Sequence, residues 1–383
     1  MTLSPILAEV GTYPFVRLDE ARRRREEAGR PVIDFGVGDP REPTAPLIRQ
    51  ALIDGVRDVM GYPRSRGLPE LREAIAAWAQ RRFGAALDPE REIIPTLGSK
   101  EAIFSFAQVA LDIDGGRDTV VTTEPGYPVA ERGARFAGGE VVRLPLLERH
   151  RFLPDLDAVD ASVWQRTAVV WLNYPNNPTA AVAPIGLYER LAELAGEHGF
   201  LIASDEAYSE LWFNGDPPVS ALQVADRSRV VVFNSLSKRS SMTGYRSGFV
   251  AGPTEVMDAL RVYRPTVGTA PQEFVQRAAV AAWGDEEHVG ETRERYRRKR
   301  AIVLPCFERK GWRVAGGAAT MYLWIEIPSG ESSDAVAHRL LEDGLVVAPG
   351  AYLGPSGEGY IRLALVPTES DCRDAAASRE EVL

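Results

Sequence analysis

The segment SLSKRSSMTGYR, residues 235 to 246, follows an apolar run. It contains Lys238, with Arg246 eight residues further on. That run, RVVVF (229–233), has the composition of a buried strand, and Lys238 and Arg246 follow it closely. A lysine that is partly desolvated beside other cations has a lowered pKa, and its neutral amine becomes a nucleophile toward an aldehyde. Because a lysine in a polar loop is usually only a solvated cation, this interpretation depends on other polar residues near the same place.

Three other apolar runs end in the same way, with polar side chains at the carboxyl end. They are DTVVTT (118–123), TAVVWLN (167–173) and GFLIAS (199–204). The carboxyl ends of the strands in a doubly wound sheet form the ligand crevice, so these ends predict one common site. The side chains that the four runs would bring to its rim are Tyr127, Asn177, Asp205, Tyr208 and Lys238.

Each of these residues has an ordinary structural explanation when it is taken singly. Asp205 suits a helix N-cap, Tyr208 a half-buried packing position, and Asn177 a turn before a proline. Taken together, they match the needs of an aldehyde cofactor with a pyridine ring. Asp205 supplies an acid for the ring nitrogen, and Tyr208 and Asn177 supply hydrogen bonds for the phenolic oxygen. The set predicts pyridoxal phosphate bound covalently to Lys238.

A phosphate group needs its own site, and two segments provide candidates for it. LGSKEAIFSF (97–106) places Ser99 and Lys100 at the start of a predicted helix, where free backbone N–H groups and the helix dipole favour an anion. Ser235 and Arg246 flank Lys238, and an arginine can bind phosphate oxygens bidentately. A Gly-Ser-Lys turn is also a common helix start. It is interpreted as a phosphate site here only because it is expected to lie close to the segment that carries Lys238.

Length and composition limit the classes of protein to consider. The chain has 383 residues, which favours two lobes, and its 45% hydrophobic and 26% charged residues are typical of a globular protein. A net charge of −9 argues against a nucleic-acid partner. Two cysteines and four scattered histidines lack metal-ligand spacing, so no metal is expected. The sequence shows neither a signal peptide nor a run long enough to span a bilayer, and a cytoplasmic location is expected.

The pattern of apolar residues predicts an α/β protein with a mostly parallel sheet covered on both faces. Helices are predicted at 68–83, 100–111, 185–198, 254–263, 272–283, 285–310 and 332–342. Strands of the large sheet are predicted at 118–123, 167–173, 199–205, 229–235 and 247–252. The tail has strands at 321–327, 344–350 and 360–366, which predict a smaller α+β lobe joined by the first 40 residues.

These motifs occur in an order that resembles a known family over nearly the whole chain. They are DFGVGDP (34–40), GYPRSRGLPELREAI (61–75), GSKEAI (98–103), EPGYP (124–128), NYPNNPT (173–179), SDEAY (204–208), SLSKRSSMTGYRSG (235–248) and YIRLAL (360–365). The chain resembles the class I and II aminotransferases of the fold-type-I pyridoxal-phosphate family. The resemblance implies a large domain with a mostly parallel seven-stranded sheet covered by helices and a smaller α+β domain. Its expected boundaries are an N-terminal segment 1–44, which packs with the small domain, a large domain 45–284 and a small domain 285–383.

The resemblance also implies roles for individual residues. As catalytic residues, Lys238 carries the cofactor, Asp205 pairs with its ring nitrogen and Tyr208 holds its ring oxygen with Asn177. Tyr127 stacks on the ring face, and the phosphate is bound by Ser99, Lys100, Ser235 and Arg246. Arg362 takes the substrate α-carboxylate, helped by Asn177 and the backbone near Gly38. Tyr62 reaches the phosphate of the neighbouring subunit, which implies a homodimer. One departure from the family is Ala180, where glycine usually follows NPT, and it puts the local turn geometry in question.

The substrate is less well determined by the residues. Segments outside the shared motifs most resemble N-succinyldiaminopimelate aminotransferases of lysine biosynthesis, which use glutamate as amino donor. A distal succinyl carboxylate would need another cation, and Arg41, Arg64 and Arg264 are candidates, although the simplest explanation of each is a solvated surface arginine. Aspartate, aromatic or broad-specificity aminotransferases remain alternatives. A lyase of the same fold would need no second keto acid, and a DNA-binding regulator would need an extension that the N-terminus has no room for.

Overall fold

The computed structural model describes residues 4–11, 14–328 and 330–377 of the chain. Its strands are β1 (Ile33–Asp34), β2 (Ile93–Thr96), β3 (Thr119–Glu124), β4 (Glu140–Pro145), β5 (Thr167–Asn173), β6 (Leu201–Asp205), β7 (Val230–Ser235), β8 (Gly248–Ala251), β9 (Tyr322–Glu326), β10 (Leu345–Val346), β11 (Ala348–Pro349) and β12 (Tyr360–Ala364). Its α-helices are α1 (Ile6–Val10), α2 (Pro14–Glu27), α3 (Pro46–Gly55), α4 (Pro69–Phe83), α5 (Ser99–Ala110), α6 (Val129–Phe136), α7 (Ala161–Arg166), α8 (Ile185–His198), α9 (Leu236–Arg239), α10 (Thr254–Val267), α11 (Glu273–Gly284), α12 (Glu287–Arg309), α13 (Ser333–Glu342) and α14 (Glu369–Ala377).

The large sheet has seven strands in the order β2-β8-β7-β6-β5-β3-β4. The strands from β7 to β4 pair in parallel, whereas β8 pairs antiparallel with both of its neighbours. The expected mostly parallel seven-stranded sheet is therefore confirmed. Because β5, β6 and β7 are adjacent and parallel, their carboxyl ends meet at one edge, and Asn173 lies opposite Asp205 in the register.

Both faces of the large sheet are covered by helices, which explains the uniformly apolar strands. On one face Trp78 of α4 packs against Trp283 of α11, with ring centroids 4.6 Å apart, and both rings contact Phe249 of β8. On the other face Phe106 of α5 packs against Trp171 and Phe233 of the sheet. Large aromatic side chains therefore pack on both faces of the sheet whose carboxyl edge carries the polar residues.

The C-terminal region forms a second, smaller sheet in the order β11-β12-β9, with antiparallel pairing throughout. The single strand predicted at 344–350 is wrong: the chain forms two short strands that belong to different sheets. β10 pairs in parallel with β1, whereas β11 pairs with β12. A run of buried apolar residues such as LVVAP shows no alternation, so the sequence could not indicate that the strand changes partner within it.

Several contacts connect the N-terminal segment to the C-terminal part of the chain. They include the pairing of β1 with β10 and an ion pair of 2.8 Å between Glu42 and the buried Lys299 of α12. The helix α12 has 23 residues, a length of about 34 Å. The domain boundaries at residues 44 and 284 stay a prediction.

Candidate active site

A cleft of about 390 Å³ lies at the carboxyl ends of β5, β6 and β7. The start of α5 borders it, and so does the small sheet, through β9 and β12. Of the residues that the sequence predicted for the site, eleven line this cleft: Gly38, Ser99, Lys100, Tyr127, Asn177, Asp205, Tyr208, Ser235, Lys238, Arg246 and Arg362. The polar ends of separate strands therefore converge as the sequence predicted.

Lys238 lies in the single turn of α9, which begins directly after β7. The turn is capped by Ser235, whose side chain accepts a hydrogen bond of 3.1 Å from the backbone N–H of Ser237. Lys238 is half-buried, and its ammonium donates a hydrogen bond to the carbonyl of Gly38. Burial, with smaller effects of Arg362 and Arg246, lowers the pKa of Lys238 to about 8, although Asp39 opposes the shift. About one tenth of this amine is therefore neutral at pH 7, far more than for a lysine in water.

Asp205 ends β6, and its carboxyl group is buried in the floor of the cleft. Among the residues that the structure describes, its carboxylate accepts one hydrogen bond, from the backbone N–H of Ala207 at 3.2 Å. Burial raises the pKa of Asp205 to about 7, since a charge there has lost its water, and the bond from Ala207 lowers it only partly. Such an acid is suited to a cationic partner, and none of its hydrogen-bond partners among the described residues is a cation.

Tyr208, Asn177 and Arg362 surround the same cleft from the side of the small sheet. The Tyr208 hydroxyl hydrogen-bonds the Tyr322 hydroxyl at 2.9 Å, and burial followed by the effect of Tyr322 raises the pKa of Tyr208. Arg362 of β12 is buried and donates to Asn177 Oδ1 at 2.9 Å and to the Gly36 carbonyl at 2.6 Å. Its guanidinium also lies 4.5 Å from the centroid of the Tyr322 ring. These bonds fix a cation in a planar, bidentate orientation toward the cleft.

The opposite end of the cleft has the features of an anion site. Gly98 precedes α5 with a φ of +73°, and a Cβ at this position would lie 2.5 Å from Arg246 Nη2. Arg246 donates to the carbonyl of Leu97 at 3.0 Å and to that of Thr243 at 2.8 Å. Burial, with the charges of Arg246 and Arg132, lowers the pKa of Lys100. The cationic side chains of Lys100 and Arg246 therefore lie beside the amino end of α5, where the first backbone N–H groups of a helix can bind an anion.

Several lining residues were missed by the sequence reasoning: Val37, Asp39, Asn173, Ala207, Ser237, Thr243 and Tyr322. Asn173 had a usable signal, since it ends the buried strand β5 just as Asp205 ends β6. Its side chain donates to the Asp205 carbonyl and accepts from the Asn177 N–H, each at 2.9 Å. Tyr322 had no comparable signal, because it lies in a run whose residues are buried on both sides.

The remaining candidates lie outside the cleft. Tyr62 is fully exposed at the chain surface. Arg264 is buried in an ion pair of 2.9 Å with Glu101, so the expectation of a solvated or pocket-facing arginine is wrong for this residue. Arg41 pairs with Asp34 at 3.0 Å, and Arg64 is exposed. Ala180 has a φ of +57°, a left-handed conformation that favours the family's glycine but is attained here by alanine.

The geometry agrees with what comparison with known proteins shows. The family model described as aminotransferase class I and II matches residues 30–378. The chain belongs to this family. It is 37% identical over 375 residues to an LL-diaminopimelate aminotransferase of Dehalococcoides mccartyi strain 195, with 96% of each chain covered. An aminotransferase of Neisseria meningitidis Z2491 superposes with a TM-score of 0.91 at 36% identity, with 99% of each chain covered. A probable N-succinyldiaminopimelate aminotransferase of Thermus thermophilus superposes with a TM-score of 0.88 at 33% identity, with 96% of this chain and 100% of that chain covered.

As a class I and II aminotransferase, the protein uses pyridoxal phosphate and exchanges an amino group between an amino acid and a keto acid. The residues of the cleft fit this cofactor on two observations. The buried Asp205 carboxyl has a raised pKa and lacks a cation among its hydrogen-bond partners in the described part of the chain. The lack of a side chain at Gly98 lets the Arg246 guanidinium lie directly against the turn before α5. The first suits a protonated ring nitrogen, and the second suits a phosphate.

Proposed function

We propose that Lys238, Asp205 and Tyr208 are the catalytic residues of this aminotransferase. When bound, pyridoxal phosphate supplies an aldehyde that condenses with amines and a ring that accepts electrons from the adjacent carbon. Asp205 would hold the proton on the ring nitrogen, and Tyr208 with Asn177 would hold the ring oxygen. Tyr127 would stack on the ring face, and Ser99, Lys100, Ser235 and Arg246 would bind the phosphate. The observation that supports this most strongly is that Lys238 and Asp205 line one cleft, with pKa values shifted to about 8 and about 7.

The proton transfers would be performed by Lys238. Its lowered pKa provides a neutral amine near pH 7, so the released side chain would remove the Cα proton of the substrate and return it to the adjacent cofactor carbon. Arg362 would bind the α-carboxylate, helped by Asn177 and the backbone near Gly38, and this contact would orient the Cα–H bond toward Lys238.

For the substrate, we propose N-succinyl-LL-diaminopimelate, as in lysine biosynthesis. In the biosynthetic direction the enzyme would transfer an amino group from glutamate to N-succinyl-2-amino-6-ketopimelate. In the reverse direction it would transfer the amino group from N-succinyl-LL-diaminopimelate to 2-oxoglutarate. The resemblance of the variable segments and the likeness to the Thermus protein support this proposal. Arg64 is the best candidate for the distal succinyl carboxylate, because Arg41 and Arg264 already pair with carboxylates. Aspartate, aromatic and broad-specificity aminotransferase activities are the alternatives, and none of the described residues that line the cleft favours one of them in particular.

A second candidate is free LL-diaminopimelate, for which two observations speak. The first is the name of the Dehalococcoides relative. The second is Asp39, whose carboxylate lines the cleft beside Lys238 and would attract a distal ammonium group rather than a succinyl carboxylate. The two candidates differ at the distal nitrogen, which is a charged ammonium group in LL-diaminopimelate and a neutral amide carrying a succinyl carboxylate in the other substrate.

A donor panel separates these candidates. Purified enzyme with pyridoxal phosphate is given LL-diaminopimelate, N-succinyl-LL-diaminopimelate, aspartate or phenylalanine, each with 2-oxoglutarate, and glutamate formation is measured. We expect the highest kcat/KM with the succinylated donor. A higher kcat/KM with free LL-diaminopimelate would support the second candidate, and a higher value with aspartate or phenylalanine would contradict both. Product formed without a keto acid would indicate a lyase.

The assignment of Lys238 is tested separately. Borohydride treatment of the loaded enzyme should add the mass of the reduced cofactor to the peptide containing Lys238. The Lys238→Ala variant should show neither that added mass nor measurable turnover. Trapping of the cofactor on Lys100, Lys299 or Lys310, the other lysines of the chain, would contradict the assignment.

We also propose that the enzyme is a homodimer in which Tyr62 reaches the phosphate of the neighbouring subunit. The segment around Tyr62 exposes an unusual amount of apolar surface. Its exposed members are Ile53, Val56, Val59, Met60 and Tyr62. A patch of this kind on a globular chain is typical of a protein interface.

A further inference from the structure

The two residues that follow Lys238 are buried and bound to one short segment of the chain. Arg239 donates to the carbonyl of Ala282 at 2.9 Å and to the carboxylate of Glu286 at 2.7 Å. Ser240 shares a hydrogen bond of 2.8 Å with the Nε2 atom of His288. The contacted segment, residues 282 to 288, is the junction between α11 and α12. The turn that carries Lys238 is therefore attached to this junction from its carboxyl side.

His288 is the central member of this attachment. Its side chain is 5% exposed, and its Nδ1 atom lies 2.5 Å from Asp285 Oδ2. The same oxygen accepts the backbone N–H of His288 at 3.0 Å. Asp285 therefore satisfies an N–H group at the start of α12 and also orients the imidazole ring.

The hydrogen bonds determine which nitrogen of His288 carries the proton. An ionised carboxylate only accepts hydrogen bonds, so Nδ1 must donate to Asp285. Burial is the largest effect on His288 and lowers its pKa, although Asp285 opposes the shift. The ring is therefore neutral near pH 7, and its Nε2 atom accepts the hydroxyl proton of Ser240. The tautomer follows from the partners of the two nitrogens.

From this geometry we infer that His288 is a positioning residue for Lys238: the chain Asp285–His288–Ser240 fixes the lysine-bearing turn to the start of α12. Ser240 is directly connected to the turn that carries Lys238, because it ends that turn and its backbone N–H donates to the Leu236 carbonyl at 3.0 Å. Loss of the Ser240 bond would loosen the turn, admit water around Lys238 and raise its pKa toward the ordinary value. The inference depends on the role proposed for Lys238 and is independent of the substrate.

Two substitutions of His288 separate positioning from simple helix capping. The amide nitrogen of asparagine can replace Nδ1 as a donor to Asp285, so His288→Asn keeps the contact with the start of α12 but leaves Ser240 without its acceptor. The amide oxygen of glutamine can replace Nε2, so His288→Gln keeps the acceptor for Ser240. Ser240→Ala removes the same bond from the other side with a small change in volume.

The pKa of the Lys238 amine is measured directly in the cofactor-free proteins. Trace acetylation over a range of pH, quantified by mass spectrometry, gives the titration of Lys238 relative to the exposed Lys310 of the same molecule. We expect His288→Asn and Ser240→Ala to raise the pKa of Lys238 by about one unit, and His288→Gln to restore the wild-type value. In the loaded enzymes, kcat should fall by about tenfold in the first two variants and recover in the third.

Other outcomes would overturn the inference. If His288→Asn behaved like the wild type and His288→Gln did not, capping of α12 would be the role of His288. If both variants shifted the pKa of Lys238 equally, packing alone would explain the residue. An unchanged pKa of Lys238 in Ser240→Ala would contradict the link between the two residues. Borohydride trapping of the loaded variants separates the two proposals. Cofactor trapped on Lys238 together with an unchanged pKa would contradict only this inference, whereas cofactor trapped on another lysine would contradict the role of Lys238.

Discussion

Burial shifts the pKa values of Lys238 and Asp205 in opposite directions. Lys238 loses charge more easily because its ammonium group is desolvated, whereas Asp205 gains a proton more easily for the same reason. Each shift brings the pKa of the group closer to neutral pH, and for Lys238 such a pKa suits a group that both removes and returns a proton. A ring nitrogen carrying a positive charge would lower the pKa of Asp205 again, so the acid is prepared for a partner that arrives with the cofactor.

The raised pKa of Asp205 predicts a pH-dependent stability of the cofactor-free protein. Its folded pKa of about 7 exceeds the unfolded value of 3.8, so the folded state binds more protons between these values. The resulting stabilisation is complete below pH 3.8 and is lost as the pH rises to about 7, by at most about 1.4 kcal/mol per pH unit. Urea unfolding should show the wild type losing stability relative to Asp205→Asn over this range. A constant difference between the two proteins would contradict the prediction, and pyridoxal phosphate should abolish the trend.

Arg362 should be specific for the substrate carboxylate. Its two nitrogens are fixed by Asn177 and Gly36, so Arg362→Lys loses the planar, bidentate contact although it keeps the charge. We expect kcat/KM for glutamate to fall by about 100-fold, mainly through KM. The matched control is a primary amine without a carboxylate, whose slow reaction with the loaded enzyme should change little. An equal loss for both compounds would show that Arg362→Lys disturbs the whole cleft.

At the scale of secondary structure, the sequence indicated strand ends better than strand partners. The apolar runs before Asn177, Asp205 and Lys238 are buried on both faces, and a polar residue that ends such a run must lie at the edge of the sheet. Parallel pairing then brings those edges together, which is why the cleft was predictable. Tyr322 was not, since its hydroxyl meets Tyr208 from 114 residues away and its own strand has no polar end.

The turn before α5 allows a test of the anion site at the level of one element. Gly98→Ala would force a side chain into a left-handed position and against Arg246, 2.5 Å away. Gly84 ends α4 with a similar φ of +69°, but an added Cβ there meets no atom within 4 Å. Gly84→Ala should therefore destabilise the protein by about 1–2 kcal/mol, and Gly98→Ala should destabilise it by at least as much because the contact with Arg246 adds to the backbone strain.

Only Gly98→Ala should also weaken the binding of pyridoxal phosphate, because it displaces a cation of the anion site. Thermal unfolding measures the shared strain, and titration of the cofactor-free proteins with pyridoxal phosphate measures the difference. Equal affinities in the two variants would refute the placement of the phosphate beside Gly98.

At the scale of the whole molecule, the site depends on contacts that no local pattern encodes. Arg362 reaches Asn177 across 185 residues, and the ion pair that buries Arg264 joins it to Glu101 across 163 residues. The first contact was expected only because the family resemblance supplied it. The second was missed, since an arginine in a helix gives no sign of a distant acidic partner. Contacts between side chains far apart in the chain, in the site and around it, are thus what composition and periodicity leave open.

Tyr62 provides the last test, since a residue that is fully exposed in one chain would complete the site of another. Lys238→Ala and Tyr62→Ala should each have little activity as pure proteins. Dissociated and reassociated together, they should form mixed dimers in which one site has both Lys238 and the Tyr62 of its neighbour. Random pairing predicts recovery of about one quarter of the wild-type activity. If Tyr62 served its own subunit, every site of the mixed dimer would lack one of the two residues, and mixing would restore nothing.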